Sequence, residues 1–189
     1  NGNVRLTTNR NGKTSRREYN SDGLLVKHTD ELGNTKTYAY DSRCNVIRET
    51  DAAGNSVEKV YGSFNKPTQI TDQNGNKTFF TYDAAGNVVK IRHPSTDGVT
   101  PEETFAYNSR NQVIRHTDLR GTVTLYTYDA SGMPATQKTG SRAAVTLTYR
   151  DGLLKSRTDA MGNTTGYTHN AIGQVIAQTD AAGKTATYA

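Results

Sequence analysis

The stretch Tyr82-Asp83-Ala84-Ala85-Gly86-Asn87-Val88-Val89 decides the fold. An aspartate at this point accepts a bond from backbone two residues on. The two alanines suit the central positions of a type I turn, and Gly86 tolerates the left-handed conformation that closes a hairpin with a bulge. Tyr82 before the turn and Val88-Val89 after it favour a pleated, half-buried surface. The stretch reads as a turn between two strands, and it returns in degraded form along the whole chain.

Aligned on the aromatic residue, the copies fall at Tyr19, Tyr40, Tyr61, Tyr82, Tyr107, Tyr128 and Tyr149, with His169 in the same place. The steps are 21 residues, apart from one of 25 after Tyr82 and a last one of 20. So short a fixed period announces a repeat architecture. Each unit carries a second turn phrase, as in Thr50-Asp51-Ala52-Ala53-Gly54-Asn55 and Thr71-Asp72-Gln73-Asn74-Gly75-Asn76, so one repeat is strand, turn, strand, turn. Two places before the repeat position stand Tyr38, Phe80, Phe105, Tyr126, Leu147 and Tyr167, with threonines such as Thr37, Thr81 and Thr127 in neighbouring places. That period of two gives the strand an aromatic face and a threonine face. The following strand holds adjacent apolar pairs such as Val46-Ile47, Val88-Val89 and Val113-Ile114. These point to opposite faces unless a bulge intervenes, and the sequence leaves both arrangements open.

Three departures stand out from the repeat. The 25-residue step contains His93-Pro94-Ser95-Thr96-Asp97-Gly98-Val99-Thr100-Pro101, which predicts a hairpin loop over 93-101 longer than its siblings. Cys44 occupies the place of Gly23, Gly86 and Gly132, and Asn65 takes it in another unit, so two non-glycine residues are predicted in a conformation that favours glycine. Pro67 and Pro134 fall at the position of Val88, which implies an unpaired amide or a distorted ladder there.

About two strands in each of roughly nine full and partial units make about eighteen short strands, antiparallel because tight turns join them. Open sheets of more than about ten strands curl, split or close. The expected fold is all-β: repeated antiparallel β-hairpins forming a curved, spiralling sheet one layer thick, a partial β-shell. Residues 1-189 are expected to form a single array, truncated within a repeat at both ends and thus a piece of a longer polypeptide. No signal peptide is visible at Asn1.

Composition agrees with a thin sheet: 33% of residues are hydrophobic, there is no Trp, and 11 Tyr supply large apolar bodies with polar tips. Net charge is +5, but Lys and Arg are interleaved with Asp, and no aromatic and basic residues share a recognisable nucleic-acid module. No apolar run approaches the roughly 18 residues of a membrane span. Nucleic acid and a membrane span are therefore not expected.

Candidate chemistry dissolves into the repeat. Asp30, Asp41, Asp51, Asp72, Asp83, Asp118, Asp129, Asp159 and Asp180 all begin turns, where side-chain capping accounts for them, and their spacing matches neither EF-hand nor calcium β-roll patterns. His28, His93, His116 and His169 lack ligand spacing, Cys44 is the only cysteine, and no GxSxG elbow or phosphate-cradling glycine loop occurs. No catalytic, cofactor-binding or metal residue is assigned, and no cofactor or enzymatic activity is expected. Lys27, Arg48, Lys90 and Arg115 share one repeat position. They read either as a docking stripe for an anionic partner or, preferably, as strand charges that keep a thin sheet soluble.

Tyr40-Asp41, Tyr82-Asp83 and Tyr128-Asp129, each followed by a glycine or its substitute, resemble the YD repeats of bacterial Rhs proteins, over essentially the whole chain. Similar repeats occur in the C components of insecticidal toxin complexes and in teneurins. The resemblance implies hairpins wound into a hollow β-shell that, in bacterial members, encloses a toxic C-terminal domain. The expected function is a structural segment of a shell that encapsulates or presents a toxin or effector polypeptide. Its expected partners are the remainder of the same long chain and other copies met through strand edges. The implied location is secreted or at the bacterial cell surface. The DPxG-type core segment of that family is not present in this chain. A second reading is a cell-surface binding module that recognises glycan or cell wall through its aromatic-bearing hairpins.

Overall fold

The computed structural model describes residues 3–188; Asn1, Gly2 and Ala189 of the expected array lie outside the described residues. The chain divides into two units, Asn1–Pro101 and Glu102–Ala189. The first contains β1 (Val4–Thr8), β2 (Thr14–Tyr19), β3 (Leu25–Thr29), β4 (Thr35–Tyr40), β5 (Val46–Thr50), β6 (Ser56–Tyr61), β7 (Pro67–Thr71), β8 (Lys77–Tyr82) and β9 (Val88–Arg92). The second contains β10 (Glu102–Tyr107), β11 (Val113–Thr117), β12 (Val123–Tyr128), β13 (Pro134–Thr139), β14 (Val145–Arg150), β15 (Leu153–Thr158), β16 (Thr164–His169), β17 (Val175–Thr179) and β18 (Thr185–Thr187). Within each unit every strand pairs antiparallel with its neighbours in the chain, and no α-helix occurs among the described residues.

Two kinds of hairpin alternate. In the tyrosine hairpin, the Gly86 N–H donates to the Asp83 carbonyl at 3.0 Å and the Asp83 N–H to the Asn87 carbonyl at 2.9 Å, with Gly86 at φ 80°. This is the type I turn with a left-handed fourth residue that the sequence predicts. Immediately beyond it the register slips: Tyr82 opposes Val88 but Thr81 opposes Lys90, so Val88 and Val89 together face one residue. The same slip recurs at Tyr19, Tyr40, Tyr61, Tyr107, Tyr128, Tyr149 and His169. The apolar pairs are therefore the two residues of a bulge. Pro67 and Pro134 stand at its first position, where the ladder is already interrupted and a missing amide does little harm.

The second hairpin has the same turn but an unbroken register, as in Arg48–Glu58 through Thr50–Ser56. Here the hydroxyls flanking the turn bond to each other: Thr50 to Ser56 at 2.8 Å, Thr158 to Thr164 at 2.8 Å and Thr179 to Thr185 at 2.9 Å. The threonines of the repeated Thr-Asp phrase thus clasp the turn they precede.

Each irregular step has a local cause. After Tyr149 the connection is the two-residue turn Asp151-Gly152, at φ 54° and 78°, with Arg150 opposite Leu153. It is shorter than its siblings, which accounts for the 20-residue step. Between Arg92 and Glu102 the loop carries its own tight turn, in which Thr96 and Val99 exchange bonds of 2.9 and 3.0 Å around Asp97-Gly98. Cys44 and Asn65 adopt φ 64° and 51°, as their alignment with glycine predicts, and Phe64 joins them at 64° in a single 3-10 turn, Ser63–Asn65.

No apolar side chain among the described residues is buried. The chain exposes 12702 Å², against about 8,900 Å² for a compact monomer of this size. Stability must therefore come from contacts between successive repeats rather than from a central core.

Candidate functional site: the tyrosine-bearing face

Registered partners lie on the same face of a sheet. In the first unit one face bears Tyr38 and Tyr40 on β4, Val57 and Tyr61 on β6, Ile70 on β7, and Phe80 and Tyr82 on β8. The opposite face carries Thr37, Ala39, Arg48, Glu58, Gln69 and Thr81. The tyrosine face is half-buried by its own neighbours only.

The repeat tyrosine does more than fill this face. The Tyr82 hydroxyl donates to the Pro67 carbonyl at 2.7 Å, Tyr40 to Leu25 at 2.7 Å, Tyr61 to Val46 at 3.1 Å and Tyr128 to Val113 at 2.8 Å. Each acceptor is the first bulge residue of the preceding repeat. The bulge turns that carbonyl out of the ladder, and the next tyrosine takes it up. Burial pushes the Tyr82 hydroxyl above its ordinary ionisation range, and at Tyr40 burial, followed by the nearby Tyr38, does the same. Composition and spacing place the tyrosines but not this stitch, which depends on the register between residues fifteen apart.

A second seam runs along the turns at the tyrosine end. The Arg43 guanidinium donates to the Gly62 carbonyl at 3.2 Å, Arg110 to Ala130 at 2.9 Å and Gln112 to Gly132 at 2.8 Å, and the Lys66 ammonium contacts the Gly86 carbonyl. Lys66 also sits 5.6 Å over the Tyr82 ring. One turn thereby holds the next.

The turn aspartates act as caps. Asp83 Oδ1 accepts from the N–H groups of Ala85 at 2.9 Å and Asn87 at 2.8 Å, while Oδ2 accepts the Asn87 side chain at 3.0 Å. These bonds hold its carboxyl below the usual range, led by the Asn87 backbone. At Asp30, Asp41, Asp51, Asp72 and Asp159 the asparagine side chain four residues on leads the same effect. Asp118 is lowered chiefly by the Thr122 N–H. Asn108 and Asn170 replace aspartate with the same backbone contacts.

The remaining candidates are dispersed. His28 lies on β3, His116 on β11, His169 at the end of β16 and His93 just beyond β9. His116 stacks on Phe105, with centroids 4.6 Å apart, and its Nε2 lies 2.9 Å from a Glu103 carboxylate oxygen. No group of three or more His, Cys, Asp or Glu that could hold a metal ion occurs among the described residues, and Cys44 is exposed at its turn. Within the basic stripe, Lys27 lies 3.9 Å from Glu18 and Arg48 3.2 Å from Glu58, so acidic neighbours on the same face offset part of its charge. Among the described residues no helix is long and apolar enough to cross a membrane.

The comparisons agree with this geometry. The teneurin YD-shell family matches residues 2–141, and the RHS repeat family matches residues 149–185. Among solved structures, TcdB2-TccC3 without its hypervariable C-terminal region superposes with a TM-score of 0.73 at 11% identity, covering 93% of this chain and 10% of that one. TcdB2-TccC3-TEV gives 0.53 at 13% identity, over 92% and 13%. The Photorhabdus luminescens Tc holotoxin pore carrying the TccC3 substitution D651A gives 0.51 at 17% identity, over 88% and 12%. At these identities the likeness is one of fold, and the chain spans about a tenth of the length of these structures. No curated protein matches at the sequence level. With a stitched, bulged hairpin repeated along both units and a family match over most of its length, the chain belongs to the YD-repeat shell family.

Proposed function

We propose that this chain is a wall segment of an Rhs-type β-shell, one continuous YD-repeat array within a longer polypeptide, which encapsulates or presents a toxin or effector polypeptide and performs no chemistry of its own. The observation that carries this reading is a stitched aromatic face with no buried apolar side chain beneath it among the described residues. A single sheet so constructed is a boundary that requires something against its apolar side. The toxin-complex structures of like fold support it, as does the use of the repeated Asp and Gly in turn geometry and of Tyr40, Tyr61, Tyr82 and Tyr128 in the stitch. The matching location is outside the producing cell or on its surface.

The test is protease protection in the natural gene product. A polypeptide following the array resists cleavage while the repeats are intact and is cut at the same protease concentration once separated from them. Equal cleavage in both states overturns the reading. So does tight, specific glycan binding that Tyr38→Ala or Tyr126→Ala abolishes, which establishes surface recognition instead.

A further inference from the structure

One row of the first repeat has no counterpart elsewhere in the two units. On the tyrosine face Arg5 of β1 directly opposes Arg17 of β2, Arg17 opposes His28 of β3, and His28 opposes Lys36 of β4. Four basic groups thus stand in one cross-strand row. Like charges directly opposite each other weaken a sheet. The two other registered charged pairs described within the units, Glu18–Lys27 and Arg48–Glu58, are of opposite sign. The equivalent row of the second repeat is Tyr38–Glu49–Val57, and that of the sixth is Tyr126–Gln137–Val145.

Only the last member of the row is neutralised. The Lys36 ammonium lies 2.6 Å from the Glu49 carboxylate, which the next strand supplies. Arg17 and His28 make no ion pair among the described residues, and Arg5 only overlies the Tyr19 ring at 5.4 Å. Arg17, His28 and Ser15 border an open concavity of about 380 Å³ that Asp30 and Glu31 also reach. Those two carboxylates are engaged elsewhere: Asp30 caps its own turn through Leu32 and Asn34, and Glu31 takes the Asn9 side chain.

We propose that the Arg5–Arg17–His28 row is a docking surface for an acidic polypeptide segment, whose carboxylates supply the counter-charges that Glu49 supplies to Lys36. With strands about 4.8 Å apart the row spans about 10 Å, within reach of two or three acidic side chains of one segment. Guanidinium groups match carboxylates two bonds at a time. Beside the row lie Tyr19 and Leu25, an apolar ledge suited to the rest of a peptide. This surface goes beyond the shell reading and does not depend on it.

The experiment titrates the full chain into a fluorescein-labelled ten-residue glutamate-rich peptide, with a glutamine-matched peptide as control, and reads anisotropy at low ionic strength. The glutamate peptide binds and the glutamine peptide does not. Arg17→Gln weakens binding about tenfold, while Lys77→Gln, which removes the same charge from the opposite face, changes it less than about twofold. Far-UV circular dichroism confirms that each variant is folded. Equal losses in R17Q and K77Q overturn the proposal in favour of diffuse charge. Capture by phosphatidylserine vesicles without peptide binding overturns it in favour of a headgroup site. Self-association that R17Q abolishes overturns it in favour of a second copy.

Discussion

Tyr82→Phe removes one oxygen and nothing else that the structure uses. The lost bond is the 2.7 Å contact to the Pro67 carbonyl; the ring, its place beside Phe80 and the Lys66 ammonium 5.6 Å above it all remain. An intramolecular hydrogen bond contributes about 1 kcal/mol net, and a half-exposed carbonyl can recover water, so the expected loss is about 0.5–1.5 kcal/mol. For a domain of this size that lowers the melting temperature by about 2–4 °C. Tyr19→Phe is the internal control: its hydroxyl has no partner among the described residues, and its loss stays within about 0.5 kcal/mol. Urea denaturation of both variants gives the comparison, and hydrogen exchange in the two repeats joined by the stitch localises it. The four stitches at Tyr40, Tyr61, Tyr82 and Tyr128 lie in separate repeats and add, so the quadruple variant loses about 4 kcal/mol. A Tyr82→Phe variant as stable as the parent, or a Tyr19→Phe variant equally weakened, refutes the idea that the hydroxyl holds repeats together.

The same stitches have an alkaline signature. Tyr40 and Tyr82 ionise above their unfolded range, so the stability they confer is complete below about pH 10 and is lost as pH rises through their folded values; denaturation midpoints fall there, less so in Tyr40→Phe/Tyr82→Phe. At the other end, the capped aspartates have lowered values, so their contribution is present above about pH 4 and disappears as pH falls through the folded values. Asp83→Asn retains the turn, as Asn108 does naturally, and an acid titration followed by circular dichroism shows a shallower loss. Cys44→Gly relieves a left-handed residue and raises stability by up to about 1 kcal/mol, whereas Gly86→Ala lowers it by about 1–2 kcal/mol, because its φ of 80° is a conformation that an L side chain rarely adopts. Thermal melts of the pair give shifts of opposite sign.

What the sequence discloses is whatever a few neighbouring residues decide among themselves. Asp83 and Gly86 specify their turn without help, and Cys44 reveals its conformation by standing in a glycine's place. The two faces follow from alternation in strands such as Lys77–Tyr82. The bulge at Val88-Val89 is ambiguous because an adjacent apolar pair serves a straight strand equally well. It is fixed by Tyr82 opposite and, at the equivalent Pro67, by a hydroxyl arriving from the next repeat. The Arg5–Arg17–His28–Lys36 row escapes reading for the same reason, since its members are 12, 11 and 8 residues apart and only the pairing brings them together. The shared position of Lys27 and Arg48 is visible, but their acidic neighbours Glu18 and Glu58 belong to other strands.

The tyrosine stitches all point in one direction. Leu25, Val46, Pro67 and Val113 present a carbonyl, and the residue that takes it up comes fifteen positions later. During synthesis from the N-terminus, each acceptor is in place before its donor emerges, so a finished repeat serves as the template on which the next one settles. Each of these four bonds closes over only fifteen residues, so it can form as soon as the next hairpin is made.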